Sequence, residues 1–102
     1  MNTDLVRVIF RIFRDHGEVI ALFPDLPGTN DGFTCESYQH VGQHGAADPD
    51  HIVSVTRPAT PAEYAPLMRE LQGAPFHYLF ILRARLPSDS YRKRCAQLEI
   101  ES

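Results

Sequence analysis

The chain has 102 residues, of which 43% are hydrophobic and 23% are charged, and these values are typical of one folded domain and not of a disordered chain. The formal net charge of −3 does not supply the basic field that non-specific binding of nucleic acid requires. We therefore expect a single domain over residues 1–102, and no apolar run approaches the roughly 20 residues of a membrane span.

The two cysteines, Cys35 and Cys95, bear on the cellular compartment. The first residues, MNTDLVRVIF, lack the basic segment, apolar run and small-residue cleavage site of a secretory signal peptide. We therefore expect a cytoplasmic protein in which both thiols stay reduced and no disulfide forms.

An antiparallel hairpin is predicted at the start of the chain. LVRVIFRIF, residues 5–13, alternates between an apolar face and a mixed face that carries Arg7 and Arg11. EVIALF, residues 18–23, follows after a short polar turn and predicts the partner strand. The prolines and glycines of PDLPGTNDG, residues 24–32, indicate a loop.

Two further strands are predicted before the middle of the chain. FTCESYQH, residues 33–40, favours a third strand with Cys35 on its apolar face. Residues 41–50 are expected to be irregular, and HIVSVTR, residues 51–57, favours a short fourth strand because it is rich in β-branched residues.

The strongest local signal is a helix start at TPAE, residues 60–63. Thr60 and Glu63 have the spacing of a capping box, in which each side chain bonds the backbone N–H of the other. Pro61 falls at the first helical position, where its missing N–H costs nothing. Gly73 and Pro75 are typical of a helix end, so the pattern predicts a helix over residues 60–72.

FHYLFILRARL, residues 76–86, predicts a strand, and SDSYRKRCAQLEI after Pro87 predicts a second helix near residues 89–99. The predicted fold class is α+β. It is a mostly antiparallel sheet of four or five strands, with the helix at 60–72 packed on one face and the second helix at the C-terminal end.

The stretch YQHVGQHG is the candidate functional loop. On an extended chain, alternate residues share one face, so Tyr38, His40 and His44 would lie together. A helix that presents both histidines on one side is disfavoured by the glycines, which cost roughly 1 kcal/mol each. The residues of this candidate loop are Tyr38, His40, Gly42, His44 and Gly45.

Several hypotheses describe the chemistry of this loop. Cys35, His40 and His44 have side chains that suit zinc, although their spacing matches no structural zinc pattern. Cys35 with one histidine would make a nucleophilic pair if the thiol were exposed and activated. The histidines and Tyr38 would also make a polar patch that binds a protein or a small ligand. The favoured hypothesis is simpler: the glycines shape a turn, one histidine bonds the backbone, the other faces solvent, and no catalytic residue is assigned.

A basic sheet face is a further hypothesis. If the first and the last predicted strands are neighbours, Arg7, Arg11, Arg83 and Arg85 would form one face of the kind that binds RNA. The same face also carries large apolar residues such as Ile9 and Ile81. For that reason we prefer the interpretation that it is covered by the second helix or by a second subunit.

Three strings resemble a known family: VIFRIFRDHGEVIALFPDLPG, CESYQHVGQHGAAD and TRPATPAEYAPLMRELQG. They are similar to a family of small uncharacterised proteins of phage, plasmid and bacterial genomes that share a Y-x-H-V-G-Q-H-G motif. The similarity covers residues 6–73 and is most specific at HVGQHG. The resemblance implies a genomic context without an established chemistry, and it suggests that His40, Gly42, His44 and Gly45 belong to the family motif.

We therefore expect a small cytoplasmic accessory protein of a mobile element that binds a protein partner, with inhibition of a bacterial defence system as one form. The alternative is a small metal- or histidine-dependent enzyme centred on the HVGQHG loop, and a nucleic-acid-binding module comes third. An enzyme is the less favoured class, and no cofactor is expected apart from zinc under the metal hypothesis. The expected partners include a second copy of the chain, and no contact with a membrane is expected.

Overall fold

A computed structural model describes residues 5–39, 44–73 and 76–99. These residues form six strands and three helices in the order β1 Val6–Phe13, β2 Val19–Pro27, β3 Cys35–Tyr38, β4 His44–Ala47, α1 Pro49–Val55, β5 Thr56–Pro58, α2 Pro61–Gln72, β6 Phe80–Leu82 and α3 Ser90–Gln97. None of the helices in the described ranges is long and apolar enough to cross a membrane.

The six strands form one sheet in which β1 is the strand that organises the others. The order is β4-β3-β2-β1-β5, and β6 also pairs with β1. β5 lies beside the second half of β1, where Arg11 is opposite Pro58, and β6 lies beside its first half, where Arg7 is opposite Ile81. The β1–β6 pair is parallel and every other pair is antiparallel. The predicted α+β class and the predicted first hairpin are confirmed, with six strands in place of four or five.

Both faces of the sheet are buried, so each has a core of its own. α2 packs on one face through Leu67 and Leu71. The buried residues of this core are Val8, Phe10, Ala21, Phe23, Tyr38, Leu67 and Leu71. The buried residues of the other core are Ile9, Ile20, Leu22, Cys35 and Ala47, against which Ile52 of α1 and Leu86 pack.

α2 begins as the sequence predicts. The Thr60 hydroxyl accepts the N–H of Glu63 at 3.3 Å, and the Glu63 carboxylate accepts the N–H of Thr60 at 2.8 Å. Arg57 donates two hydrogen bonds to the same carboxylate, at 2.9 and 2.7 Å. Gly73 caps the end of α2 in an extended conformation. The predicted helix is therefore confirmed.

The prediction for residues 41–57 is wrong in two places. Residues 44–47 form β4 and are not irregular, because they pair with β3 in register from Tyr38–His44 to Cys35–Ala47. Most of the predicted fourth strand is helix α1, and only its last residues form β5. The Asp48 carboxylate accepts the N–H groups of Asp50 and His51, and Pro49 occupies the first helical position. This local cap outweighs the β propensity of the valines that follow.

The strand predicted over residues 76–86 is much shorter than expected. His77 adopts a positive φ of 53°, and its N–H donates to the carbonyl of Gly73 at 2.9 Å. Residues 76–79 therefore wrap around the end of α2 before the chain reaches β6. The second predicted helix is confirmed as α3.

An ion pair joins β1, β2 and the start of α3. Arg7 donates to both oxygens of Asp25, from Nε at 2.6 Å and from Nη2 at 2.8 Å, and it also donates to Asp89 at 2.8 Å. The Ser90 hydroxyl adds a bond to Asp25 at 2.8 Å. Burial opposes ionisation of the Asp25 carboxyl, but the bonds from Arg7 and Ser90 and the charge of Arg7 together hold its pKa below the ordinary value.

The Asp25→Asn substitution should destabilise the protein by about 1–3 kcal/mol at pH 7, because it removes the charged acceptor of the Arg7 pair. The depressed pKa of Asp25 contributes stability above the unfolded-state pKa of about 4, and that contribution is lost as pH falls through the lower folded value. Urea unfolding from pH 7 to pH 2 should therefore show the two proteins converging below about pH 4. The control Asp15→Asn, at an exposed turn, should have a free energy of unfolding close to that of the parent at every pH. A similar loss of stability in both variants would contradict the assignment of the Arg7–Asp25 pair.

Gly28 and Gly45 provide a matched test of backbone approach. A Cβ on Gly28 would lie 2.7 Å from the carbonyl oxygen of Cys35 and 2.9 Å from the Cα of Ala46, whereas among the described residues a Cβ on Gly45 would meet only the Ser37 hydroxyl at 3.6 Å. Because the first two neighbours are backbone, Gly28→Ala should cost about 1–3 kcal/mol, and Gly45→Ala should cost much less. Thermal unfolding of the two variants checks this, and equal stability would show that the strands do not approach so closely.

Candidate functional site

The described parts of the candidate loop lie on the paired antiparallel strands β3 and β4. Tyr38 lies directly opposite His44 in the ladder, and their rings are 4.8 Å apart between centroids. Phe76 packs against both rings, at 5.3 and 5.2 Å. Tyr38 and His44 therefore share a face, as predicted, but they do so from two strands and not along one extended segment. His40 and Gly42 lie outside the described residues.

Tyr38 has a partner on α2. Its ring is buried, and its hydroxyl donates to the carboxylate of Glu70. This bond ties β3 to the helix that covers the same face of the sheet. Gly45 lies in β4, where its carbonyl accepts the Ser37 hydroxyl at 3.0 Å. The described part of the loop therefore contributes mainly to the packing of β3, β4 and α2.

The structure does not bring Cys35 and His44 together. Cys35 is opposite Ala47 at one end of the β3–β4 ladder, and His44 is opposite Tyr38 at the other end. Three residues along a strand separate positions by roughly 10 Å. In addition, Cys35 belongs to the core on one face of the sheet, whereas Tyr38, with the His44 ring against it, belongs to the other. One zinc ion cannot bind both side chains in this arrangement, and the described residues contain no group of three or more His, Cys, Asp or Glu side chains placed for a metal.

The thiol of Cys35 is fully buried, which bears on the hypothesis of a nucleophilic pair. Burial raises the pKa of Cys35 to about 11, although the positive charge of Arg94 opposes this shift. A thiol with so high a pKa is protonated at neutral pH and is a poor nucleophile. The geometry therefore does not provide the exposed, activated thiol that the Cys–His hypothesis requires. Cys95 is also buried.

The four arginines of the basic-face hypothesis separate into two pairs. Arg7 is bound to Asp25 and Asp89, as described above. Arg11 is buried, and it donates to the hydroxyl and carbonyl of Thr56 at 2.9 Å and to the carbonyl of Val53 at 3.1 Å. The part of the mixed face that carries these two side chains is covered by the starts of α3 and β5. Only Arg83 and Arg85 are exposed, and both follow β6.

A cleft of about 270 Å³ lies beside α2 and is lined by three glutamates, Glu18, Glu63 and Glu70. Two of these carboxylates have the partners already described, Arg57 for Glu63 and Tyr38 for Glu70. Glu18 lies 3.7 Å from a ring nitrogen of His16. The cleft is therefore acidic, but its charges serve contacts within the fold.

The most unusual surface lies at β6, and the sequence patterns did not identify it. We expected the apolar residues there to be covered, but Leu79, Ile81 and Leu82 are 51%, 38% and 46% exposed. Leu5, which precedes the paired strand β1, is 58% exposed. We call Leu5, Leu79, Ile81 and Leu82 the β6 surface; Leu79 and Ile81 lie on the Arg7 face of this edge, and Leu82 lies on the Val8 face. The signal that could have found it is the run FILRARL, in which three consecutive large apolar residues are followed by two arginines in a segment that has no acid.

A second cleft of about 350 Å³ adjoins the β6 surface. It lies where the end of β6 diverges from β5, so that Leu82 and Ala84 face Pro58 and the start of α2. Phe10 and Tyr64 form part of its lining, and their rings stack at 4.6 Å. The β6 surface is therefore continuous with an apolar concavity.

Comparison with protein-family models, curated proteins and solved structures gave no match to this chain. The resemblance to the phage and plasmid family stays a prediction, and function has to be inferred from the residues themselves.

Because the Cys35 thiol is buried and protonated, it should not react with iodoacetamide at pH 8 while the protein is folded. The test uses a Cys95→Ser variant, in which Cys35 is the single thiol, and intact-mass spectrometry with and without denaturant. Labelling should be complete only in denaturant. Complete labelling of the native protein within minutes would restore the hypothesis of a reactive Cys35.

Proposed function

We propose that the protein is a small accessory protein of a phage or other mobile element and that it acts by binding a protein partner. The observation that carries the proposal is the β6 surface, a sheet edge with large apolar side chains exposed beside it.

Exposed edges of this kind are normally avoided, because an unpaired strand and an apolar patch both promote association. Folded proteins block such edges with charge, proline, bulges or a covering segment, whereas the three residues of β6 itself, Phe80, Ile81 and Leu82, carry no charge and no proline. Here β1 is the only described strand that pairs with β6. In addition, large exposed apolar residues grouped at one edge of a small protein often mark an interaction site. The edge and the patch coincide, which favours a docking surface for another protein.

The other residues considered for chemistry support binding over catalysis, because their side chains serve the fold. The Cys35 thiol is sealed in the core, and the Tyr38 hydroxyl is bound to Glu70. Arg7 and Arg11 are held by side-chain and backbone acceptors. The enzyme alternative depends on His40 as well as His44, and it stays a prediction.

Inhibition of a bacterial defence protein is the concrete form of the proposal. The resemblance to phage and plasmid proteins supports that context, and small size suits a protein that acts by occupying a surface of a larger one. In this form, the β6 surface contacts the target and the rest of the domain supports it.

The Ile81→Lys substitution should abolish partner binding without unfolding the domain, because it places a charge at the centre of the β6 surface on an exposed side chain. The matched control is Val55→Lys, since Val55 is similarly exposed, at 37%, but lies at the end of α1. A photo-reactive residue at position 82 should cross-link a discrete bacterial protein, which is then purified and titrated against each variant. The parent and Val55→Lys should bind it alike, and Ile81→Lys should bind at least tenfold more weakly.

Equal binding by Ile81→Lys and the parent, with matching circular dichroism spectra, would show that the β6 surface is not the docking surface. Failure to cross-link any protein from position 82 would have the same meaning.

A further inference from the structure

The backbone of β6 has one paired side and one open side. The N–H of Val6 donates to the carbonyl of Leu79, and the N–H of Arg83 donates to the carbonyl of Val8. Successive residues of a strand direct their backbone N–H and C=O groups to alternate sides. The backbone groups of Leu79, Ile81 and Arg83 therefore point toward β1. The N–H and C=O groups of Phe80 and Leu82 consequently point away from β1, toward the side where the structure describes no neighbouring strand. This side has the donors and acceptors that an added strand requires.

The side chains around this open edge have a distinct pattern. Apolar residues at positions 79, 81 and 82 are followed by Arg83 and Arg85, both of which are exposed. Within the described part of the chain, neither guanidinium has a carboxylate partner, in contrast to Arg7 and Arg57. The segment from residue 76 to residue 88 contains no Asp or Glu. The edge therefore combines apolar contacts with positive charge that is not neutralised.

A second copy of the chain does not suit this edge. A closed dimer through β6 would place the two edges antiparallel about a two-fold axis, so that each contributes the same residues. An antiparallel pairing centred on Ile81 would place Arg83 of each copy opposite Leu79 of the other, and neither edge would supply an acid for the arginines. Charge complementarity instead favours a partner segment that brings carboxylates.

We propose that the open edge of β6 binds an extended segment of the partner protein in which apolar residues alternate with Asp or Glu. The inference rests on the proposed function and specifies the partner's chemistry. The segment adds as a strand, with its backbone bonded to Phe80 and Leu82. Its carboxylates pair with Arg83 and Arg85, and an apolar side chain enters the adjoining cleft between Leu82 and Tyr64.

The proposal is tested with synthetic peptides and the intact protein, so that no natural partner is needed. The probe is a fluorescein-labelled peptide of eight residues in which valine alternates with glutamate and one valine is replaced by phenylalanine. The first matched peptide has glutamine in place of glutamate, the second has lysine, and the third has the glutamate sequence with alternate backbone amides N-methylated. Fluorescence anisotropy at low ionic strength should show that the glutamate peptide binds at least tenfold more tightly than each of the three.

A charge exchange tests the assignment to Arg83 and Arg85. The double variant Arg83→Glu, Arg85→Glu should bind the glutamate peptide at least tenfold more weakly than the parent does. It should bind the lysine peptide in preference to the glutamate peptide. The control Arg14→Glu, Arg92→Glu changes the net charge equally at exposed positions outside β6, and it should keep the parent's preference.

Several outcomes would overturn the inference. The first is equal affinity for the glutamate and glutamine peptides, and the second is equal affinity for the N-methylated peptide. The third is a stable dimer, seen by light scattering, that Ile81→Lys dissociates, because a second copy would then cover the edge. Absence of any peptide binding, while position 82 still cross-links a partner that Ile81→Lys loses, would reject the acidic strand and leave the proposed function standing. Peptide binding that follows the expected order, without such a partner, would support the acidic-strand chemistry and count against the proposed accessory role.

Discussion

The ion pair between Arg7 and Asp25 is the interaction on which the arrangement of this domain depends. It connects the first strand to the end of the second, and through Asp89 and Ser90 it also holds the start of α3 against the sheet. A bidentate pair of this kind fixes geometry as well as charge. It also removes Arg7 from the surface. The sequence suggested Arg7 as a residue for binding nucleic acid, but its side chain instead joins β1, β2 and the start of α3.

The position of β1 explains why an open edge remains. Its outer side is shared by two strands of three residues each, β5 beside Arg11 and β6 beside Arg7. Because both partners are so short, they leave a cleft between them, and neither covers the whole length of β1. A domain of this size has little surface to spare for covering segments. The apolar residues of β6 remain exposed as a result, and the proposed partner segment would use both the backbone groups of this edge and the cleft.

The histidine-rich hairpin has a different part in the structure. Tyr38 and His44 pack with Phe76 over the core beneath α2. The hydroxyl of Tyr38 on β3 donates a hydrogen bond to Glu70 on α2. Cys35, three residues from Tyr38, faces the opposite core. The alternation of side chains along β3 therefore separates residues that the sequence places close together. This separation, and not the choice of side chains, decides against a shared zinc ion.

Elements with local causes could be predicted from the amino-acid sequence. The capping box at Thr60 and Glu63 and the alternation of residues 5–23 act between near neighbours, so α2 and the first hairpin were predictable. Which surface remained exposed could not be predicted, because Arg11 donates to Thr56 and Arg7 is covered by the start of α3, and both partners lie far along the chain. Residues 51–57 lie between these cases: their β-branched side chains indicated a strand, yet the cap at Asp48 and Pro49 made most of them a helix. Burial and strand pairing depend on partners that are distant in sequence. A local sequence pattern therefore does not predict which residues such partners cover and which they leave exposed.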